Sequence, residues 1–133
     1  MTTNVTHTDA HEGQPVTLAV SNAMVRLYKQ QFGRGPTKAH THFAGADMVI
    51  CTLQDSLTPA ERNLVRMGEH QRLRDVRMFF QYASEQEFRG TVEEITGRRV
   101  WAFISGIDAA QDVSVEVFYL EPAGDGTEDS RGG

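Results

Sequence analysis

Apolar positions along the first third of the chain recur at helical intervals. Between Pro15 and Gly33, Leu18, Val25, Tyr28 and Phe32 fall one or two turns apart and share one face of a predicted helix. Val20, Met24 and Leu27 widen that stripe, so the helix is expected to be buried over much of its girth. Gly33 stands where a left-handed C-terminal residue belongs, and Pro36 forbids continuation. The period then changes. Ala39–Phe43 alternates, Ala44–Asp47 reads as a turn, and Met48–Leu53 is rich in β-formers and apolar on both faces. Together they predict a hairpin whose second strand is central.

The next signal is a helix start. Thr58 is an N-cap, Pro59 occupies the first helical position and Glu61 completes a capping box. This helix runs to about Met67, where Gly68 interrupts it. Leu73, Val76, Phe80, Ala83, Phe88, Val92 and Ile95 then keep helical spacing up to Thr96–Gly97, with Gly90 as a kink or break and Ser84 as an internal cap. Val100–Ser105 is an apolar strand. After a turn-rich link, Val113, Val115, Val117 and Tyr119 alternate with Ser114, Glu116, Phe118 and Leu120, a second hairpin closed by Pro122. The order is α-β-β-α-β-β. An α+β fold satisfies it, with a four-stranded antiparallel sheet and helices packed on one face. Left open, the other face would expose largely apolar strands, and this predicts a homodimer.

Composition sets limits on that picture. The 133 residues fit one domain. Residues 1–14 and 122–133 hold almost nothing to bury and read as a disordered leader and a disordered acidic tail, leaving 15–121 as the folded domain. A formal net charge of −5 argues against nucleic acid as a partner. The single cysteine, Cys51, excludes an intrachain disulfide and sits in an apolar run, as a buried inert thiol would. There is no secretory signal and no apolar run of the roughly 18 residues a membrane span needs, so a cytoplasmic protein is expected.

Candidate chemistry is sparse. Residues 62–77 carry Arg62, Arg66, Arg72, Arg74 and Arg77 against Glu69 and Asp75. This is either a solvated helix face or a surface for an acidic partner, an anion or phospholipid headgroups. In Gly33-Arg34-Gly35-Pro36, two glycines flank a guanidinium, and with Lys38, Arg98 and Arg99 they could line a pocket for bicarbonate or phosphate. The competing reading is a plain corner, because the preceding helix points its negative end at these glycines. His40 and His42 lie two apart on a strand, a spacing that can hold zinc, but nothing fixes a third ligand among His70, Asp47 and Glu69. Trp101, Phe103, Phe118 and Tyr119 lie on strands without a basic groove, which favours packing over base stacking. No serine elbow, HExxH, P-loop or GxGxxG is present, so no cofactor and no catalytic residue are expected.

Several phrases carry a resemblance. "SNAMVRLYKQQFGRGPTKA", "VICTLQDSLTPAERNLVRMGE", "LRDVRMFFQ" and "VEEITGRRVWAFISGIDAAQDVSVEVFYLEP" resemble the MpsC-like family, long classed as a domain of unknown function, over about residues 16–121. The most diagnostic pieces are Gly33–Pro36, Leu57-Thr58-Pro59-x-Glu61, Val76-Arg77 and Thr96-Gly97-Arg98. The resemblance implies the C component of a bacterial sodium-translocating, membrane-potential-generating system, whose membrane subunits are linked to inorganic carbon uptake. It implies a small accessory protein and transfers no catalytic residue. The segment Ala39–Phe43 departs from the family's more apolar or lysine-bearing strand.

Three functions from different classes follow. The first is a non-enzymatic accessory or regulatory protein, peripheral to the membrane, acting by contact with transport subunits. The second is an anion-binding module, with Arg34, Lys38, Arg77, Arg98 and Arg99 as candidate anion- or partner-binding residues. The third is a metalloenzyme built on His40 and His42.

Overall fold

The structure is a computed structural model that describes residues 14–123. The expected leader and acidic tail lie outside these residues except for Gln14, Pro122 and Ala123. The elements run α1 (Val16–Phe32), β1 (Lys38–Phe43), β2 (Met48–Gln54), α2 (Pro59–Arg66), α3 (His70–Ala83), α4 (Glu85–Thr96), β3 (Val100–Asp108) and β4 (Val113–Leu120). The fold is α+β, with the order α-β-β-α-α-α-β-β.

Local chemistry explains the ends. Gly33 closes α1 in the left-handed region at φ 85°, its N–H reaching Lys29 O at 2.9 Å. Thr58 and Glu61 form the reciprocal box that opens α2: Glu61 N–H donates to Thr58 Oγ1 at 3.2 Å, and Thr58 N–H donates to Glu61 Oε1 at 2.8 Å. Gly68, at φ 80°, turns the chain from α2 into α3.

The long second helical region is broken at Ser84 and not at Gly90. Gly90 lies inside an uninterrupted α4 and is exposed. Ser84 ends α3 and begins α4 without capping either by its side chain, because its hydroxyl donates to Gln31 Oε1 on α1. The break lets α4 lower Phe88 and Val92 into the core while α3 follows a different line.

The sheet is antiparallel in the order β1-β2-β4-β3, so the two predicted hairpins meet along β2 and β4. Its inner face is covered by helices. Val49, Leu53, Phe103, Phe118 and Leu120 pack against Val20, Met24 and Leu27 of α1 and Phe88 and Val92 of α4. Phe103 anchors this layer, with ring centroids 5.1 Å from Phe118 and 5.8 Å from Phe88. A smaller cluster of Leu57, Leu73, Ile107 and Ala109 seals the α2–α3 end. The outer face is open: Trp101 and Ile104 there are 57% and 51% exposed.

Candidate functional site

Four side chains, one from each strand, form a polar row across the apolar inner face. Thr41 faces Cys51, Cys51 faces Glu116, and Glu116 faces Ser105 in the strand register. All four are buried, Glu116 completely. The helices answer this row with polar groups of their own. Ser21 of α1 pairs with the Thr41 hydroxyl at 2.7 Å. Tyr28 of α1 donates its hydroxyl to Glu116 Oε2, and Gln81 of α3 donates to the same oxygen at 2.5 Å. Glu116 Oε1 finds no partner among the described residues.

Electrostatics follow from this seclusion. Burial pushes the Glu116 carboxyl up to about 7, against the opposing hydrogen bonds of Tyr28, Ser105 and Gln81 and the charge of Arg77. Burial, together with the neighbouring Glu116, also raises the Tyr28 hydroxyl well above its ordinary value. Cys51 is pushed up to about 12, again chiefly by burial, so it stays a thiol and not a nucleophile. The row can therefore take up and release one proton near neutral pH, inside the contact between sheet and helices.

Helix α3, which supplies Gln81, is amphipathic in the reverse sense. Its buried residues are Leu73, Arg77 and Gln81. Its outward stripe holds Val76, Phe79 and Phe80, which are 47%, 68% and 45% exposed. The inward guanidinium is anchored from three sides. Arg77 Nε and Nη2 donate to the two oxygens of Glu61 at 2.9 and 2.6 Å, and Nη2 also reaches Ser56 O at 3.1 Å. Its plane lies over Phe32, 3.7 Å from the ring centroid. Arg77 thus ties α3 to the capping box of α2 and to the end of α1.

The other arginines picked out by sequence are separated. Arg34 donates to Asp55 O at 2.5 Å and Leu57 O at 3.2 Å, and pairs with the Asp55 carboxylate at 3.2 Å. Thr37 and Arg62 hold the same carboxylate at 2.9 and 2.7 Å. The Thr37 bond, then Arg34 and Arg62, keep Asp55 below the usual carboxylate range. Arg98 binds Asp47, Ala46 O and Glu121 O, and Arg99 is exposed beside it. Lys38 pairs with Gln54 at one end of β2, whereas Asp47 and Arg98 sit at the other. Arg34 and Lys38 therefore do not converge with Arg98 and Arg99 on one pocket.

The glycine-arginine corner has a clear architectural role. At Gly35 a Cβ would lie 3.0 Å from Val25 O and 3.2 Å from Val25 Cγ1, so the chain crosses α1 at a distance only glycine permits. His40 and His42 are exposed on β1 with ring centroids 5.5 Å apart. No cluster of three His, Cys, Asp or Glu residues suited to a metal occurs among the described residues.

Sequence reasoning passed over Glu116 as a site. The signal was present: the residue shares its strand phase with Ser114, Phe118 and Leu120, the set that turns inward. Phe79, the most exposed aromatic of α3, was likewise absent from the helical stripe drawn from the sequence.

Residues 14–122 match the family described as the Na+-translocating membrane potential-generating system (MpsC). The chain belongs to this family. The match spans all four helices and both hairpins, so the polar row and the reversed helix lie within the MpsC domain. Membership connects the chain with a multi-subunit membrane-potential system. Among the described residues no helix is long and apolar enough to cross a membrane. No curated protein and no solved structure matches the chain.

Proposed function

We propose that this MpsC chain is a non-catalytic accessory subunit that works by docking to a membrane-embedded partner of the potential-generating system from the cytoplasmic side. The observation that carries this reading is the reversed amphipathicity of α3. A surface helix ordinarily turns its apolar stripe to the core. Here the core receives Arg77 and Gln81 beside Leu73, while Val76, Phe79 and Phe80 face outward. An apolar stripe of this kind marks an interaction site. Exposed Arg72, paired with Glu69, and exposed Arg74 and Asp75 border it and give it a polar rim of mixed charge. The inward anchors keep the stripe rigid, which lowers the entropy cost of docking.

A photo-crosslinking residue at position 79, with position 94 on the exposed side of α4 as control, tests this in cells. The expected result is a crosslink from position 79 alone to an integral membrane subunit, identified by mass spectrometry. Crosslinks of equal yield and identity from both positions, or none from position 79, would overturn the reading.

A further inference from the structure

The outer face of the sheet is a second unpartnered surface, on the side away from the helices. Its rows are fixed by the strand register. Ile50, Val117 and Ile104 continue one another across β2, β4 and β3, with His42 at the β1 edge. The next row runs His40, Thr52, Val115 and Gly106. Trp101, displaced outward by the irregularity between Val100 and Ala102, lies against Tyr119 at 5.4 Å. The row at the far end reads Lys38, Gln54, Val113, Asp108. Formal charge thus occurs at the two opposite edges of one end row and is absent from the centre.

We propose that this face binds the same face of a second copy, through a two-fold axis running along the strands between β2 and β4. Three features of the surface select a second copy. The first is charge. Such an axis lays each β1 edge over the partner copy's β3 edge at the same height, so each Lys38 meets an Asp108. The pattern is complementary to itself under that rotation, and a flipped arrangement loses the pairing. The second is relief. The same axis sets His40 over Gly106, where no side chain fills the space, and sets Ile50 over Val117. The third is extent. Four strands about 4.8 Å apart and six to nine residues long, at about 3.3 Å per residue, give a flat projected footprint of roughly 400–570 Å² before side-chain relief is added, more than half of the roughly 800 Å² per partner of a stable interface. Two sheets of identical twist also stack face to face at a small angle without gaps.

The inference does not rest on the docking role of α3, and its test uses the intact chain. Trp101 is the only tryptophan, so its emission reports burial of this face alone. Sedimentation of the wild-type protein is expected to give twice the chain mass at micromolar concentration. On dilution, dissociation and a red shift of tryptophan emission should occur together. Ile104→Arg should weaken association at least a hundredfold while far-UV circular dichroism and thermal midpoint are retained. Lys38→Glu or Asp108→Lys alone should weaken it about tenfold, and the two together should restore it to within about threefold of wild type. A monomer at all concentrations overturns the proposal. So does a dimer in which Trp101 emission stays red, or one that Ile104→Arg leaves intact. Failure of the double reversal to restore association overturns the two-fold arrangement.

Discussion

Tyr28 on α1 donates a hydrogen bond to Glu116 on β4 within a core where neither residue is more than 2% exposed. The pair joins the helix layer to the centre of the sheet. It is a polar contact at a position where an apolar one would cost less, since a buried carboxylate keeps its charge only against the loss of hydration.

That placement sets the pH dependence of stability. The folded-state value of Glu116 is about 7, raised from 4.5 chiefly by burial. The folded chain therefore holds this proton more tightly than the unfolded chain does. Its contribution to stability is fully present below about 4.5 and is lost as pH rises through about 7. The difference corresponds to about 3 kcal/mol as an upper bound. Urea unfolding at pH 5 and pH 8 should show the wild-type protein weaker at pH 8. Glu116→Gln, which keeps an acceptor for Tyr28, should flatten that slope and exceed wild type at pH 8 by about 1–3 kcal/mol. A slope unchanged by the substitution would show that another group is responsible.

The Arg77–Glu61 pair should behave differently, because both partners are engaged by several groups. Arg77→Met leaves Glu61 half-buried without its guanidinium and removes the cap from Phe32, an expected loss of about 3–5 kcal/mol. Arg77→Lys retains charge but not the two-pronged geometry and should recover less than half of that loss. A double-mutant cycle with Glu61→Gln should give a coupling of about 1–3 kcal/mol. Additive effects would mean that the pair contributes through packing alone.

Much of the fold was legible because it depends on neighbours in sequence. The stop at Gly33, the capping box from Thr58 to Glu61 and the alternation of Val113–Leu120 are all local devices. The break at Ser84 was ambiguous because Gly90 looks the weaker residue. An exposed glycine costs a helix only about 1 kcal/mol, and burial of Phe88 and Val92 outweighs that. The strand order depended on β2 meeting β4, a contact between segments far apart in the chain. The polar row was hidden for the same reason. Alternation gives the phase of Glu116, but its partners Gln81 and Tyr28 lie 35 and 88 positions away. Spacing also could not reveal that Arg34 and Arg98 serve opposite ends of the sheet.

The two glycines of the corner should separate by mechanism. Gly33 needs its positive φ and has open space around its Cβ position, so Gly33→Ala should cost about 1 kcal/mol. Gly35 has no unusual φ but meets the backbone of Val25 at 3.0 Å, so Gly35→Ala must move β1 away from α1. That should cost about 1–3 kcal/mol, as overpacking does. Thermal melts of the two variants decide it: a Gly35→Ala variant as stable as wild type would deny that close approach is what Gly35 supplies.

Substitutions on the outer stripe of α3 should uncouple stability from recruitment. Val76 and Phe79 are exposed, and their removal leaves no cavity in either core cluster. Val76→Ser with Phe79→Ser should therefore shift the unfolding free energy by no more than about 0.5 kcal/mol. The same double variant should lose most of its membrane-bound fraction in cells that carry the partner subunits, measured by fractionation and immunoblotting. Arg77→Met provides the contrast: it should lower stability and recruitment together, because α3 then loses the anchor that holds the stripe outward. Membrane recruitment preserved in the double serine variant would assign docking to another surface and leave the reversed helix without a binding role.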